Sequence, residues 1–182
     1  MSVLTAVPYF QGADDHLVAA RSSVSLPAIR KDFIIDPYQI TEARALGADC
    51  ILLIIAALDD GLASELESAA FDWGMDVLIE IHNTEELDRA MALKSPLLGI
   101  NNRNLKTLKT DVQTPRQLAP HVVETARLLV SESGLNTPTD LASMYDVGAR
   151  CFLIGESLMR QHDIEAATRR LLASQTQVRA AA

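Results

Sequence analysis

The chain has 182 residues, 48% hydrophobic, 22% charged and 4% aromatic, with a formal net charge of −8 at neutral pH. That length suits one α/β domain with a sizeable core, and an acidic balance without any basic run argues against nucleic acid or an anionic membrane as partner. The longest apolar stretch, Ile51 to Leu58, is too short to span a bilayer, and no charged leader followed by an apolar core opens the chain, so a cytoplasmic location is expected.

Taken in order, Met1 to Thr5 reads as the tail of a strand, Tyr9 to Gly12 as a loop, and residues 14–23 as a helix. An apolar run from Leu26 to Ile29 then ends in Arg30, Lys31 and Asp32. Strand residues alternate sides, so Ile29, Lys31 and Phe33 share one face while Arg30 and Asp32 take the other. Asp36, Pro37 and Gln39 have the spacing of a helix cap, a first-turn proline and a capping-box partner. A buried strand that hands a lysine to its carboxyl end and turns into a helix puts that lysine where α/β folds keep their active sites; the bland alternative is a surface lysine.

Helix 37–46 is expected to stop at Gly47, and the strand Cys50 to Ile55 is apolar on both faces, as in a sheet covered on both sides. Helix 60–73 stops at Gly74, and the strand Val77 to Ile81 carries Glu80. Asn83 and Glu86 form a capping pair for helix 84–93; His82, two residues past Glu80, could reach the same pocket but is read as a solvent-facing loop residue. Strand 97–101 leads into Asn102, Arg103 and Asn104. After a helix opened by Thr114, Pro115 and Gln117, strand 127–131 follows. Helix 138–148, strand 152–154, a short helix 156–159 and a last helix 163–173 complete a domain over 1–173, with 174–182 as a frayed tail. Cys50 and Cys151, each opening an apolar run, read as buried free thiols. The four scattered histidines lack metal-ligand spacing, so no metal and no cofactor is expected.

Strand ends recur at intervals of 21 to 30 residues with a helix in every interval. Strict β/α alternation means a parallel sheet, and polar residues at successive strand carboxyl ends favour a (β/α) barrel over an open doubly wound sheet. No glycine-rich dinucleotide or Walker loop supports the open-sheet alternative. The strand ends supply Lys31, Glu80, Asn101, Arg103, Glu132 and Ser133. A lysine and a glutamate in one mouth suit general acid–base work, the alternative being a structural ion pair. Ser131-Glu132-Ser133-Gly134 lacks the first glycine of a nucleophile elbow and has no suitable histidine and acid after it. Ser133-Gly134 and Gly155-Glu156 instead read as a phosphate site, built from backbone N–H groups after the last two strands.

Six motifs in order resemble the indole-3-glycerol phosphate synthase family: Tyr9 to Gly12, Leu26 to Gln39, Met75 to His82, Gly99 to Leu105, Val130 to Gly134 and Phe152 to Arg160. The resemblance implies a lyase of tryptophan biosynthesis. Such an enzyme closes the indole ring of 1-(2-carboxyphenylamino)-1-deoxyribulose 5-phosphate with loss of CO2 and water. It implies Lys31 as catalytic acid and Glu80 as catalytic base, with Asn101, Arg103, Glu132 and Ser133 as polar active-site residues. Phe10, Phe33, Leu52 and Leu153 would belong to the substrate pocket, and Gly134, Gly155 and Glu156 would hold the phosphate through their main chain. Family members begin with a helix and a first strand bearing a Glu-x-Lys-x-x-Ser-Pro-Ser segment, absent from this sequence. The expected fold is therefore an incomplete TIM (β/α)8 barrel of about seven strands, lacking the first strand and leading helix. The alternative function is a catalytically dead barrel remnant that retains a phosphate site. Self-association through exposed strand edges is a further expectation.

Overall fold

The computed structural model describes residues 1–103 and 113–179, without the side chains of residues 9, 10, 113, 114 and 173–179. Among these residues seven strands alternate with helices: β1 (Ser2–Leu4), β2 (Ile29–Lys31), β3 (Cys50–Ile54), β4 (Asp76–Ile81), β5 (Leu97–Asn101), β6 (Leu128–Glu132) and β7 (Cys151–Leu153). Sheet order follows chain order, β1 to β7. The pairs β1–β2, β2–β3, β3–β4 and β6–β7 are parallel, with Leu4 opposite Lys31, Ile54 opposite Glu80 and Glu132 opposite Leu153. The intervening helices are α1 (Val7–Phe10), α2 (Asp14–Ser23), α3 (Pro37–Ala45), α4 (Asp60–Asp72), α5 (Thr84–Ala90), α6 (Gln113–Glu124), α7 (Pro138–Asp146), α8 (Glu156–Met159) and α9 (Ile164–Arg179). The chain forms two compact units, Met1–Leu98 and Gly99–Ala182. Among the described residues no helix is long and apolar enough to cross a membrane.

In the first unit the core is a continuous apolar strand between layers. Every residue of β3 from Ile51 to Ile54 is buried, together with Ile79 and Ile81 of β4, Leu17 of α2, Ile40 of α3 and Leu66 of α4. A strand buried on both faces has no use for alternation, which is why its sequence shows none. Helix entry into α3 is written locally. Asp36 accepts the Tyr38 N–H at 2.8 Å, and Gln39 Oε1 accepts the N–H groups of Ile35 and Asp36, closing the box. Gln39 also donates through Nε2 to the Phe33 carbonyl, which ties the strand exit to the helix. Gly47 ends the helix region with φ +96°, a conformation that costs L-residues about 1 kcal/mol or more.

The second unit is built on β6 and β7, with Leu118, Ala119 and Val122 of α6, Leu129 of β6, and Leu141 and Met144 of α7 buried. Gly148 combines φ +109° with a close approach: a Cβ there would collide with the Val123 side chain.

Several local expectations change. Val7–Phe10 forms one helical turn rather than a loop, started by Pro8 in its first turn. Helix α5 ends at Ala90, three residues early, and α9 continues to Arg179, past Ala173. Both cysteines are free, each at the first residue of its strand, but Cys151 is exposed and Cys50 only half-buried. Asn104 and Leu105 lie outside the described residues.

Candidate active site

In the first unit Lys31 closes β2 and Glu80 is the penultimate residue of β4, so both reach the carboxyl ends of their strands. Lys31 Nζ stands 3.1 Å from Glu80 Oε2; the carboxylate side chain is 2% exposed and the lysine 21%. Arg30, the residue before, points the other way. It is 4% exposed and anchored to Asp14 of α2 at 3.1 Å, Glu42 of α3 at 2.8 Å and Asp32 at 3.4 Å. Its Nε also donates to Thr5 Oγ1 at 3.1 Å, and that hydroxyl donates to Asp32 at 2.6 Å. The alternation expected for this strand is thus realised as a division of labour, with Arg30 fastening the sheet to its helices and Lys31 presented to a carboxylate.

His82 corrects its expected exposure. Its side chain is 11% exposed, between Glu86 Oε2 at 2.9 Å from Nδ1 and Glu80 Oε1 at 3.3 Å from Nε2. Asn83 caps α5 by accepting the Glu86 N–H, as the spacing predicts, but the Glu86 carboxylate reaches back further, accepting the His82 N–H at 2.7 Å. Burial disfavours charge on the imidazole, yet hydrogen bonding and attraction to the two carboxylates win and push its pKa up to about 9. Glu86 is held below the usual carboxylate range: burial works against this, and His82 outweighs it.

Phe33 is half-buried, its N–H given to Asp32 Oδ1 at 2.8 Å, and Leu52 lies buried in the middle of β3. The side chain of Phe10 is outside the described residues.

The second unit carries the remaining candidates. Asn101, buried at the end of β5, accepts the Arg103 N–H on Oδ1 at 3.0 Å. Glu132 is buried at the end of β6, where its carbonyl accepts the Asn102 N–H at 2.9 Å. Ser133 and Gly134 follow in the left-handed region, φ +65° and +70°, and Asn102 Nδ2 donates to the Ser133 carbonyl at 2.9 Å. Asn102 therefore holds the turn from both sides and is buried, its Oδ1 without a hydrogen-bond partner among the described residues. It is a site residue that sequence reasoning passed over as loop; a second polar residue directly after a buried strand was the available signal. The Ser133 N–H points toward the Leu153 carbonyl at 3.4 Å, and Leu153 itself is half-exposed.

Gly155 precedes α8 with open space where a Cβ would stand. The carboxylate of Glu156 is exposed but neutralised, 2.6 Å from Arg103 and 2.7 Å from Arg160, and Arg103 above all depresses its pKa. The acidic side chain is thereby turned to arginine, leaving the glycine backbone to face solvent. Among the described residues no group of histidine, cysteine or carboxylate side chains could hold a metal ion.

Parallel strands joined by helices, with polar residues and glycine turns at successive strand carboxyl ends, define a protein of the (β/α)-barrel class. Solved structures agree. 3-Hexulose-6-phosphate synthase superposes with TM-score 0.76 at 16% identity, over 95% of this chain and 86% of its own. A mutant tryptophan synthase α-subunit from Pyrococcus furiosus does so with TM-score 0.69 at 19% identity, over 88% and 72%. At such identities the likeness establishes the fold alone.

The chain belongs to the indole-3-glycerol phosphate synthase family, whose sequence profile matches residues 1–171. It is 66% identical to the indole-3-glycerol phosphate synthase of Azospirillum brasilense over 95% of this chain and 66% of that protein. The corresponding protein of Rhodospirillum rubrum is 60% identical over 94% of this chain and 65% of its own length. The chain thus spans just under two thirds of the curated relatives it matches.

Proposed function

We propose that the protein is an indole-3-glycerol phosphate synthase, a carboxy-lyase. It would convert 1-(2-carboxyphenylamino)-1-deoxyribulose 5-phosphate to indole-3-glycerol phosphate, CO2 and water. The observation that carries the reading is the Lys31–Glu80 pair at 3.1 Å, largely closed from water. An ammonium and a carboxylate in contact are an acid and a base already in their working forms. Lys31 donates a proton to the sugar carbonyl oxygen as the ring carbon bearing the carboxylate attacks the carbonyl carbon. The C–CO2 bond then breaks and its electron pair restores the ring. Loss of the resulting hydroxyl as water needs a proton delivered to that oxygen and one removed from the substrate, the second by Glu80. Asn101, Arg103, Glu132 and Ser133 are the polar groups that orient the substrate.

Phosphate docks on the main chain at Gly134, Gly155 and Glu156. The open space at Gly155 and the pairing of Glu156 with Arg103 and Arg160 support that role. Phe10, Phe33, Leu52 and Leu153 contribute the apolar wall. The partner is this small phosphorylated anthranilate derivative, and free thiols at Cys50 and Cys151 support a reducing, cytoplasmic setting.

The test is the absorbance of indole-3-glycerol phosphate formed by the purified protein, alongside binding of a reduced, unreactive substrate analogue. Turnover abolished by Lys31→Met supports the reading. Neither turnover nor analogue binding overturns it, and binding without turnover favours a non-catalytic phosphate-binding protein.

A further inference from the structure

The proposed reaction uses Lys31 and Glu80 but assigns nothing to the charged cluster directly behind them. His82 stands two residues after Glu80, on the same face of the chain as it leaves β4. Its main chain and ring are both held by one carboxylate. Glu86 Oε2 accepts the His82 N–H at 2.7 Å and lies 2.9 Å from Nδ1, while Oε1 accepts Asn83 Nδ2 at 2.6 Å. The Glu86 N–H is bonded in turn to Asn83 Oδ1 at 2.9 Å. An ionised carboxylate only accepts, so Nδ1 must carry a proton. On the far side of the ring, Nε2 lies 3.3 Å from Glu80 Oε1. Without a proton there, a nitrogen lone pair would face a carboxylate oxygen. With one, the contact is attractive.

The two oxygens of Glu80 are thereby divided: Oε2 faces Lys31 at 3.1 Å and Oε1 faces the imidazole. Among the described residues, the charged groups that face the His82 ring are Glu80 from β4 and Glu86 from α5, with Lys31 of β2 beyond Glu80.

We propose that His82 is a positioning residue for Glu80. Clamped by Glu86 and Asn83, it stands as an imidazolium against one oxygen of the Glu80 carboxylate and so aims the other at Lys31. Among the described residues two cations thus meet one carboxylate, which favours its charged form and restricts its rotation. The base thus keeps its charge and direction when Lys31 gives up its proton. The raised pKa of the ring agrees with this arrangement. The inference rests on the synthase reading only for the word base; the clamp itself is a property of the folded chain.

The experiment follows protonation by NMR in the full chain and couples it to kinetics. His82 is identified among the four histidines by its loss in His82→Gln. Its ring should titrate well above the ordinary imidazole range, and the isosteric Glu86→Gln should lower that midpoint by at least one pH unit. The carboxyl carbon of Glu80 should titrate higher in His82→Gln than in the parent, because one cation is gone. In turnover, kcat should fall about tenfold with KM little changed, and the acidic limb of kcat/KM should move to higher pH. A purely structural histidine would not move that limb. A His82 midpoint at or below the ordinary imidazole value, or an unchanged Glu80 titration in folded His82→Gln, overturns the proposal. Both titrations as expected in a parent protein that makes no product would instead sink the synthase reading and leave the clamp standing.

Discussion

Arg30 and Lys31 are consecutive cations with opposite assignments, and the pair separates stability from function. Arg30 is buried and bonded to three carboxylates, of which Asp14 and Glu42 are partly solvated, so Arg30→Met should cost about 2 kcal/mol of stability. Chemical denaturation measures that loss, and kcat of the protein that remains folded should be little affected. Lys31→Met and Glu80→Gln should behave in the opposite way. Each should lower kcat by about 10² or more, the usual scale for a positioned acid or base, in protein shown to be folded. Losses under about threefold would make the pair a structural ion bridge.

At the scale of elements, two strand–helix joints bear on function. The first is β4 to α5, closed by His82 and Glu86. The imidazole pKa is raised to about 9 from the ordinary 6.5, so its stabilisation is complete below pH 6.5 and is lost as pH rises through 9. Glu86 is depressed from 4.5, so its share is present above that value and is lost as pH falls through its folded pKa. Stability should therefore be flat between those ranges and decline on the alkaline side. At about 1.4 kcal/mol per pH unit, the decline from His82 amounts to roughly 3 kcal/mol. Melting curves of the parent and His82→Gln from neutral to alkaline pH check it, the variant showing the flatter profile. The second joint is β7 to α8. Gly155 has φ −123°, which any residue adopts, and nothing within 4 Å of a Cβ, so Gly155→Val should fold normally. If phosphate approaches there, KM should rise about tenfold with kcat nearly constant, since a remote phosphate is held equally in ground and transition states. An unchanged KM would remove Gly155 from the site.

At the scale of the whole molecule, apolar surface is unevenly covered. Leu4 of β1 is 38% exposed and Leu172 of α9 52% exposed, and Phe152 and Leu153 of β7 are half-exposed. An open groove runs along β7, α7 and α9, lined by Leu141, Phe152, Ile154, Leu158, Leu171 and Leu172. Strands with uncovered apolar residues recruit one another, so the chain should self-associate as concentration rises. Sedimentation velocity across a dilution series reads this. Phe152→Lys should shift the population toward monomer, and a parent that stays monomeric throughout would rule the association out.

The parallel α/β architecture was legible because its signals are local. A capping box at Asp36 and Gln39, glycines in the left-handed region at helix ends, and a doubly apolar β3 depend on neighbours within a few residues. Lys31 and Glu80 were legible for a related reason: parallel strands carry their last residues to one edge of the sheet, whatever the intervening helix does. The family followed from motifs kept in order along the chain. The partners of each charge could not be read this way. Arg30 and Lys31 are indistinguishable as letters, and only the side of the strand taken by α2 and α3 makes one a fastener and leaves the other beside Glu80. His82 looked like a loop residue because nothing in its spacing shows that Glu86 turns back past its own helix cap to meet it. Asn102 looked like loop polarity until the Ser133 turn came within reach of its amide. Backbone hydrogen bonding sets secondary structure from local sequence. Which charge is buried, and against what, is decided by desolvation among groups that only the tertiary fold brings together.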